Sequence, residues 1–187
     1  PLWQLAFRAG FLAAAGFGVL AMTRWLLWIW QPQAWPAAIP PNWWHAHEMI
    51  FGFAMPVVAG FLLTAVATWT NLPGTRGWRL QLLFGLWLMA RAVLWLTPQW
   101  LALAWLAEML FILLLAYELG QRVWARRQWR NILFLPVLLV MLLLCCASYL
   151  SVHDHAATTR LHYGAVWMIS VFIAIIGGRV IPLFTAN

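Results

Sequence analysis

The sequence predicts an all-α polytopic transmembrane bundle of about six spans, with both termini in the cytoplasm. Three observations carry that expectation. Hydrophobic residues make up 65% of the 187-residue chain and charged residues 8%, with a mean hydropathy of +0.84. A soluble domain of this size has no interior large enough to hide so much apolar surface. The apolar residues also fall into stretches close to the ~20 residues a helix needs to cross the hydrocarbon. Finally, the arginines gather in alternate links, the pattern of a chain threaded back and forth through a bilayer.

The spans run roughly Leu5–Trp30, His45–Trp69, Trp78–Leu96, Trp100–Leu119, Ile132–Leu150 and Leu161–Phe184, one bundle over residues 1–187. Arg8 lies at the leading end of the first. Arg76 and Arg79 follow the second, and Arg122, Arg126, Arg127 and Arg130 follow the fourth. The remaining links hold only Arg160. The positive-inside rule therefore places the Pro-rich link Gln31–Asn42, the turn Thr97–Gln99 and the link Ser151–Arg160 outside. Tryptophans are expected to mark both borders: Trp30, Trp35, Trp43, Trp44, Trp95 and Trp100 outside, and Trp69, Trp78, Trp124 and Trp129 inside. The first apolar segment is too long for a signal peptide and lacks a small-residue cleavage site. The +7 formal charge comes from arginines at segment ends, with no lysine and no aromatic-basic groove, so nucleic-acid binding is not indicated. Cys145 and Cys146 stand side by side in an apolar run, where core packing is the reading preferred over a disulfide or a metal motif.

This threading puts all five histidines at the outer end. His45 and His47 open span two, His153 and His155 lie in the last outward link, and His162 opens span six. Imidazoles gathered at one depth suggest a metal or haem site, preferred over histidines merely tolerated at an interface. Helical residues advance about 100° each, so His45 and His47 point about 200° apart and one regular helix does not bring both to one metal. Asn42 is the expected N-cap, behind Pro40 and Pro41. His45, Glu48, Met49, Gly52, Pro56 and Gly60 form one stripe, expected inside the bundle. His47, Phe51, Ala54, Val58 and Phe61 form a greasier stripe, expected against lipid or a flat apolar cofactor. Gly52 and Gly60 mark close helix packing or room for a planar ring. Pro56 frees the Gly52 carbonyl from its helical bond and bends the span.

Four more arrangements bear on chemistry. Arg24 in span one and Glu48 in span two lie at neighbouring depths and are expected to pair. Arg91 and Glu108 lie ~10 and ~15 Å from the Pro98 turn, within reach of one another. A clamp between spans three and four is preferred there over a proton path. Glu118 is placed to meet Arg122 at i+4 or to snorkel. His153 and His155 would share a metal if their loop is extended, because residues i and i+2 then point the same way; a solvated loop is the alternative. Arg179 follows Gly177 and Gly178, and either snorkels or holds an anion such as a propionate.

The stretches Trp44–Ala54, Ala59–Val66 with Trp69 and Thr70, and Gly177–Thr185 together resemble the signature of the NnrS family, as do Leu2–Arg8 and the link ending Trp129-Arg130-Asn131. The resemblance implies a multi-pass protein of the bacterial inner membrane that contains haem and copper and is linked to nitric-oxide metabolism or nitrosative-stress tolerance. His45, His47, Glu48 and Arg179 fall in the family's motifs. With the depth argument, His45, His47, His162 and Arg179 become the candidates for holding haem b. His45, His47, Glu48, His153 and His155 are the candidates for copper. No c-type attachment motif is present, so the haem would be noncovalent. Family members usually have about twice as many spans, so this bundle corresponds to the N-terminal half of such a protein. A site shared between halves would need a second-half bundle or a second copy. The alternatives are a membrane carrier or handling protein for copper or haem, and a scaffold without cofactor.

Overall fold

A computed structural model describes residues 2–36 and 38–185, without the side chains of 179, 180 and 182–184. The described residues are helical throughout, with no strand. The elements are α1 (Ala6–Trp30), α2 (Pro41–His47), a π-helical segment (Glu48–Ala54), α3 (Met55–Thr70), α4 (Trp78–Leu96), α5 (Leu101–Ala125), α6 (Phe134–Leu150) and α7 (His155–Thr185). α2, the π segment and α3 run end to end. Among the described residues six helical stretches are long and apolar enough to cross a membrane, and this is a multi-pass membrane protein.

The centre of the bundle is the composite span Pro41–Thr70. α1 packs along its whole length, α5 against α3, and α7 against α2 and the π segment. Most of the span is buried: Trp44, Met55, Ala59, Leu62, Leu63 and Val66 have almost no exposed surface, while Phe53 is 42% exposed. Neighbours approach where small residues allow it. α1 buries Ala6, Ala9, Gly10, Ala14, Phe17 and Ala21, a stripe at helical spacing. A Cβ added at Gly10 would lie 2.8 Å from the Gly60 Cα, and one added at Gly60 would lie 3.1 Å from the Ala6 carbonyl oxygen. Between helices that gain nothing from hiding apolar surface from lipid, such close packing is the main source of attraction.

Several expected boundaries move. The second span starts at Pro41, not at an Asn42 cap, and no side chain caps it. Proline at the first helical position has its φ already set and no N–H to leave unpaired. α5 continues past Leu119 to Ala125. The link Ser151–Arg160 is mostly helix, because the Asp154 carboxylate accepts the Ala157 N–H at 2.9 Å and starts α7. Trp43 and Trp44 are core residues at 3% and 0% exposure and do not mark a border. Trp30, Trp78, Trp100, Trp124 and Trp129 are exposed at helix ends, as border tryptophans should be. Cys145 is buried in the core and Cys146 half-buried, both as free thiols.

At the arginine-rich end, Glu118 ties the α3–α4 link to α5. Its Oε2 accepts bonds from the Thr75 hydroxyl and from Arg122, each at 2.8 Å. Arg122 also reaches the Pro73 carbonyl. The Gly77 N–H donates to the Trp3 carbonyl at 2.8 Å, fixing the start of the chain to the same end.

The α1–α3 crossing gives opposite expectations for two glycines on one helix. Gly10→Ala forces the backbones apart and should cost about 1–3 kcal/mol. Gly16→Ala meets open space and should leave stability unchanged or raise it by up to ~1 kcal/mol. Thermal unfolding in detergent reads both.

Candidate functional site

The composite span carries its ionisable residues on the last turn of α2 and the first residue of the π segment. His47 and Glu48 are both buried, at 0% and 1% exposure. The expected division into an inward His45–Glu48 stripe and a His47 stripe against lipid or a flat apolar cofactor is therefore corrected as far as lipid is concerned. His47, Phe51 and Val58 are buried against neighbouring helices. The π segment also breaks the regular advance on which the stripes were drawn, since each of its turns takes up an extra residue.

Glu108 of α5 is the hub. Its Oε2 accepts from His47 Nε2 and from the Tyr149 hydroxyl, each at 2.8 Å, and its Oε1 accepts from Arg91 Nη2 at 2.5 Å. The expected Arg91–Glu108 clamp is thus present, and it joins α2 and α6 as well as α4 and α5. Arg91 Nη1 lies 3.2 Å from Glu48 Oε1. The expected pair of Glu48 with Arg24 does not form. Arg24 has its guanidinium 4.6–4.8 Å from the ring centroids of Trp35, Trp44 and Trp95. Arg91 reaches Glu48 from α4 through the space left by Gly52, where an added Cβ would meet Arg91 Nη1 at 2.9 Å and Glu48 Oε2 at 3.0 Å. The Gly52 carbonyl, expected to lack its helical bond because of Pro56, accepts the Trp87 indole N–H at 3.1 Å.

His47 lies flat on Trp43, with ring centroids 4.5 Å apart and planes 12° from parallel. With Nε2 donating to Glu108, its Nδ1 is the free lone-pair nitrogen. That atom is buried and has no hydrogen-bond partner. Trp43 Nε1 donates to the backbone and hydroxyl oxygens of Ser148, at 3.1 and 3.0 Å. The Ser148 hydroxyl lies 2.8 Å from His162 Nε2. The His47 and His162 rings are 6.2 Å apart.

Beside this cluster lies a cleft of about 530 Å³ between α2 with the π segment on one side and α7 on the other. His45, His155 and His162 line it, with Trp43, Ile50 and Val166 among its apolar walls. His45 stacks on Trp25 at 4.1 Å, and its Nδ1 is buried without a hydrogen-bond partner. The structure thus separates His45 from His47, as helix geometry requires, and joins His45 to His155 and His162. His153 is exposed in the turn before α7, away from the cleft. The extended loop that would have aligned it with His155 does not exist, because His155 already begins a helix. The side chain of Arg179 lies outside the described residues. No group of three or more His, Cys, Asp or Glu side chains is placed to hold a metal among the described residues.

Trp43, Ser148 and Tyr149 belong to the site but were not anticipated. Ser148 and Tyr149 end α6 at the depth of the histidines, so the same counting of depth would have found them.

A family profile described as NnrS protein matches residues 1–187. No curated protein and no solved structure gives a match.

The hub orders the expected losses. Glu108→Ala leaves Arg91 short of a partner in an apolar interior and should cost about 3–5 kcal/mol. Tyr149→Phe removes one hydrogen bond to a charged group and should cost ~1.5–3 kcal/mol. Unfolding midpoints of the two variants in the same detergent test that order.

Proposed function

The chain belongs to the NnrS family, and from that premise we propose a haem- and copper-binding protein of the bacterial inner membrane, at work in nitric-oxide metabolism or nitrosative-stress tolerance. Its arginine-rich end faces the cytoplasm, with both termini, and the histidine end faces outward. The observation that carries the haem reading is the cleft between α2 and α7. Three of the five histidines line one cavity of about 530 Å³, within the ~300–1,000 Å³ usual for ligand pockets.

The residues there fit a haem. The His45 ring lines the cleft and makes no hydrogen bond through Nδ1. The walls are aromatic and aliphatic, and the Asn42 amide adds a polar group for a carboxylate substituent. When bound, haem supplies an iron that takes a diatomic ligand and exchanges an electron with it. The protein's own part is to orient and to exclude water. Trp25 holds the His45 ring by stacking. Ser148 holds the edge of His162, the kind of outer contact that fixes which nitrogen of a ligand histidine is presented. Met49, Ile50 and Val166 keep the wall apolar.

Copper fits less well. The described residues do not gather three ligands. His47 Nδ1, with Glu108 behind its other nitrogen, is the best single donor for it. Further donors would have to come from a second-half bundle, a second copy or residues outside those described, and no step is assigned to copper.

Protein purified from haem-replete cells should show a Soret band. That band should shift or weaken in His45→Ala and His162→Ala and stay unchanged in His153→Ala, whose side chain is outside the cleft. A wild-type preparation without the band, or three variants alike, would defeat the reading.

A further inference from the structure

A second cleft, of about 430 Å³, opens between α1, the link after it and the end of α4. It shares no lining residue with the histidine cleft. Its one charge is Arg24. This residue lies six positions before the end of α1 at Trp30, or ~9 Å along the helix. A cation at that depth is costly and calls for a counter-charge. The surroundings supply only part of one. Three indole faces lie against the guanidinium, and each such contact stabilises a cation modestly. Nη1 also donates to the Trp95 carbonyl at 3.3 Å, at the end of α4, where the helix dipole is negative. No carboxylate among the described residues lies within ion-pair distance of Arg24.

The three indoles cover part of a guanidinium that carries five N–H donors around its edge. One of those donors goes to Trp95. The guanidinium lines a cleft that also offers the Gln31 amide, while the Thr23 hydroxyl there donates to the Val19 carbonyl at 2.8 Å. The rest of the rim is apolar. Leu20 and Leu27 line it, and each is 57% exposed on the face of α1 that meets lipid. A small soluble anion has no use for that apolar rim, whereas a molecule with a phosphate at one end and a hydrocarbon tail at the other matches both parts.

We propose that Arg24, caged by Trp35, Trp44 and Trp95, anchors a binding site for an anionic phospholipid. The phosphate lies against the guanidinium and the Gln31 amide, and an acyl chain lies along Leu20 and Leu27. Trp35 closes the cage from the link, held by its own N–H bond to the Ile39 carbonyl at 2.8 Å. Lipid and the start of span two are thereby joined, since Trp44 is a cage wall three residues before His47.

The test uses the full chain prepared without haem, so its outcome is independent of the haem reading. Phosphatidylglycerol retained after detergent washing is measured by native mass spectrometry. Thermal unfolding is compared in phosphatidylglycerol and phosphatidylcholine nanodiscs. Wild type should keep phosphatidylglycerol and unfold at a higher temperature in it. Arg24→Gln should retain it roughly five-fold less well, the scale of one basic residue at an anionic surface. Leu27→Trp, which fills the cleft but keeps the cation and the cage, should lose the lipid while the protein stays folded. Equal retention in Leu27→Trp and wild type overturns the proposal. So does equal protection by inorganic phosphate alone, which would mean a soluble-anion site.

Discussion

The carboxylate of Glu108 holds the bundle in one arrangement. It takes hydrogen bonds from α2, α4 and α6 while sitting on α5, so four elements meet at two oxygen atoms. In water such bonds are replaceable. In an apolar interior a donor that loses its acceptor has nowhere to turn, and the penalty falls on whichever helix rotated. Apolar side chains in this protein face lipid and core alike, so hydrophobicity alone says little about how each helix should turn. The buried charges supply that instruction. Arg91 extends it to Glu48, and Glu48 opens the π segment.

The π segment and its glycine follow from the same centre. Span two must carry His47 and Glu48 inward on consecutive residues and still present Gly52 to Arg91 and Phe17. Widened turns provide that, and Trp87 takes up the Gly52 carbonyl. π turns are uncommon and often mark functional places. Here one lies directly beneath the histidine cleft.

Much of this was readable beforehand because the bilayer imposes strong rules. Span count, the clamp of Arg91 with Glu108, the Glu118–Arg122 pair, the close approach at Gly60 and the burial of Cys145 all follow from length, depth and small size. What was not readable depended on who the neighbours are. Trp43 and Trp44 have the composition of border residues, yet they are walls of the core because α6, α7 and Arg24 lie against them. Arg24 and Glu48 have matching depths, but three indoles reach the arginine and Arg91 reaches the glutamate. The stripes of span two assumed one buried face and a regular helix, and neither condition holds. Asp154 looked like part of a polar loop until its carboxylate proved to start α7.

Between the histidine cleft and the charged interior stands a partition one aromatic ring thick. His162 touches Ser148, Ser148 touches Trp43, and Trp43 lies flat on His47, whose other side is bonded to Glu108. Across the 6.2 Å between the two imidazoles, a unit charge acts on another with ~3 kcal/mol at an effective dielectric of about 20. The cleft wall and the carboxylate behind it are therefore electrically coupled, and a change of charge at one is felt at the other without any helix having to move.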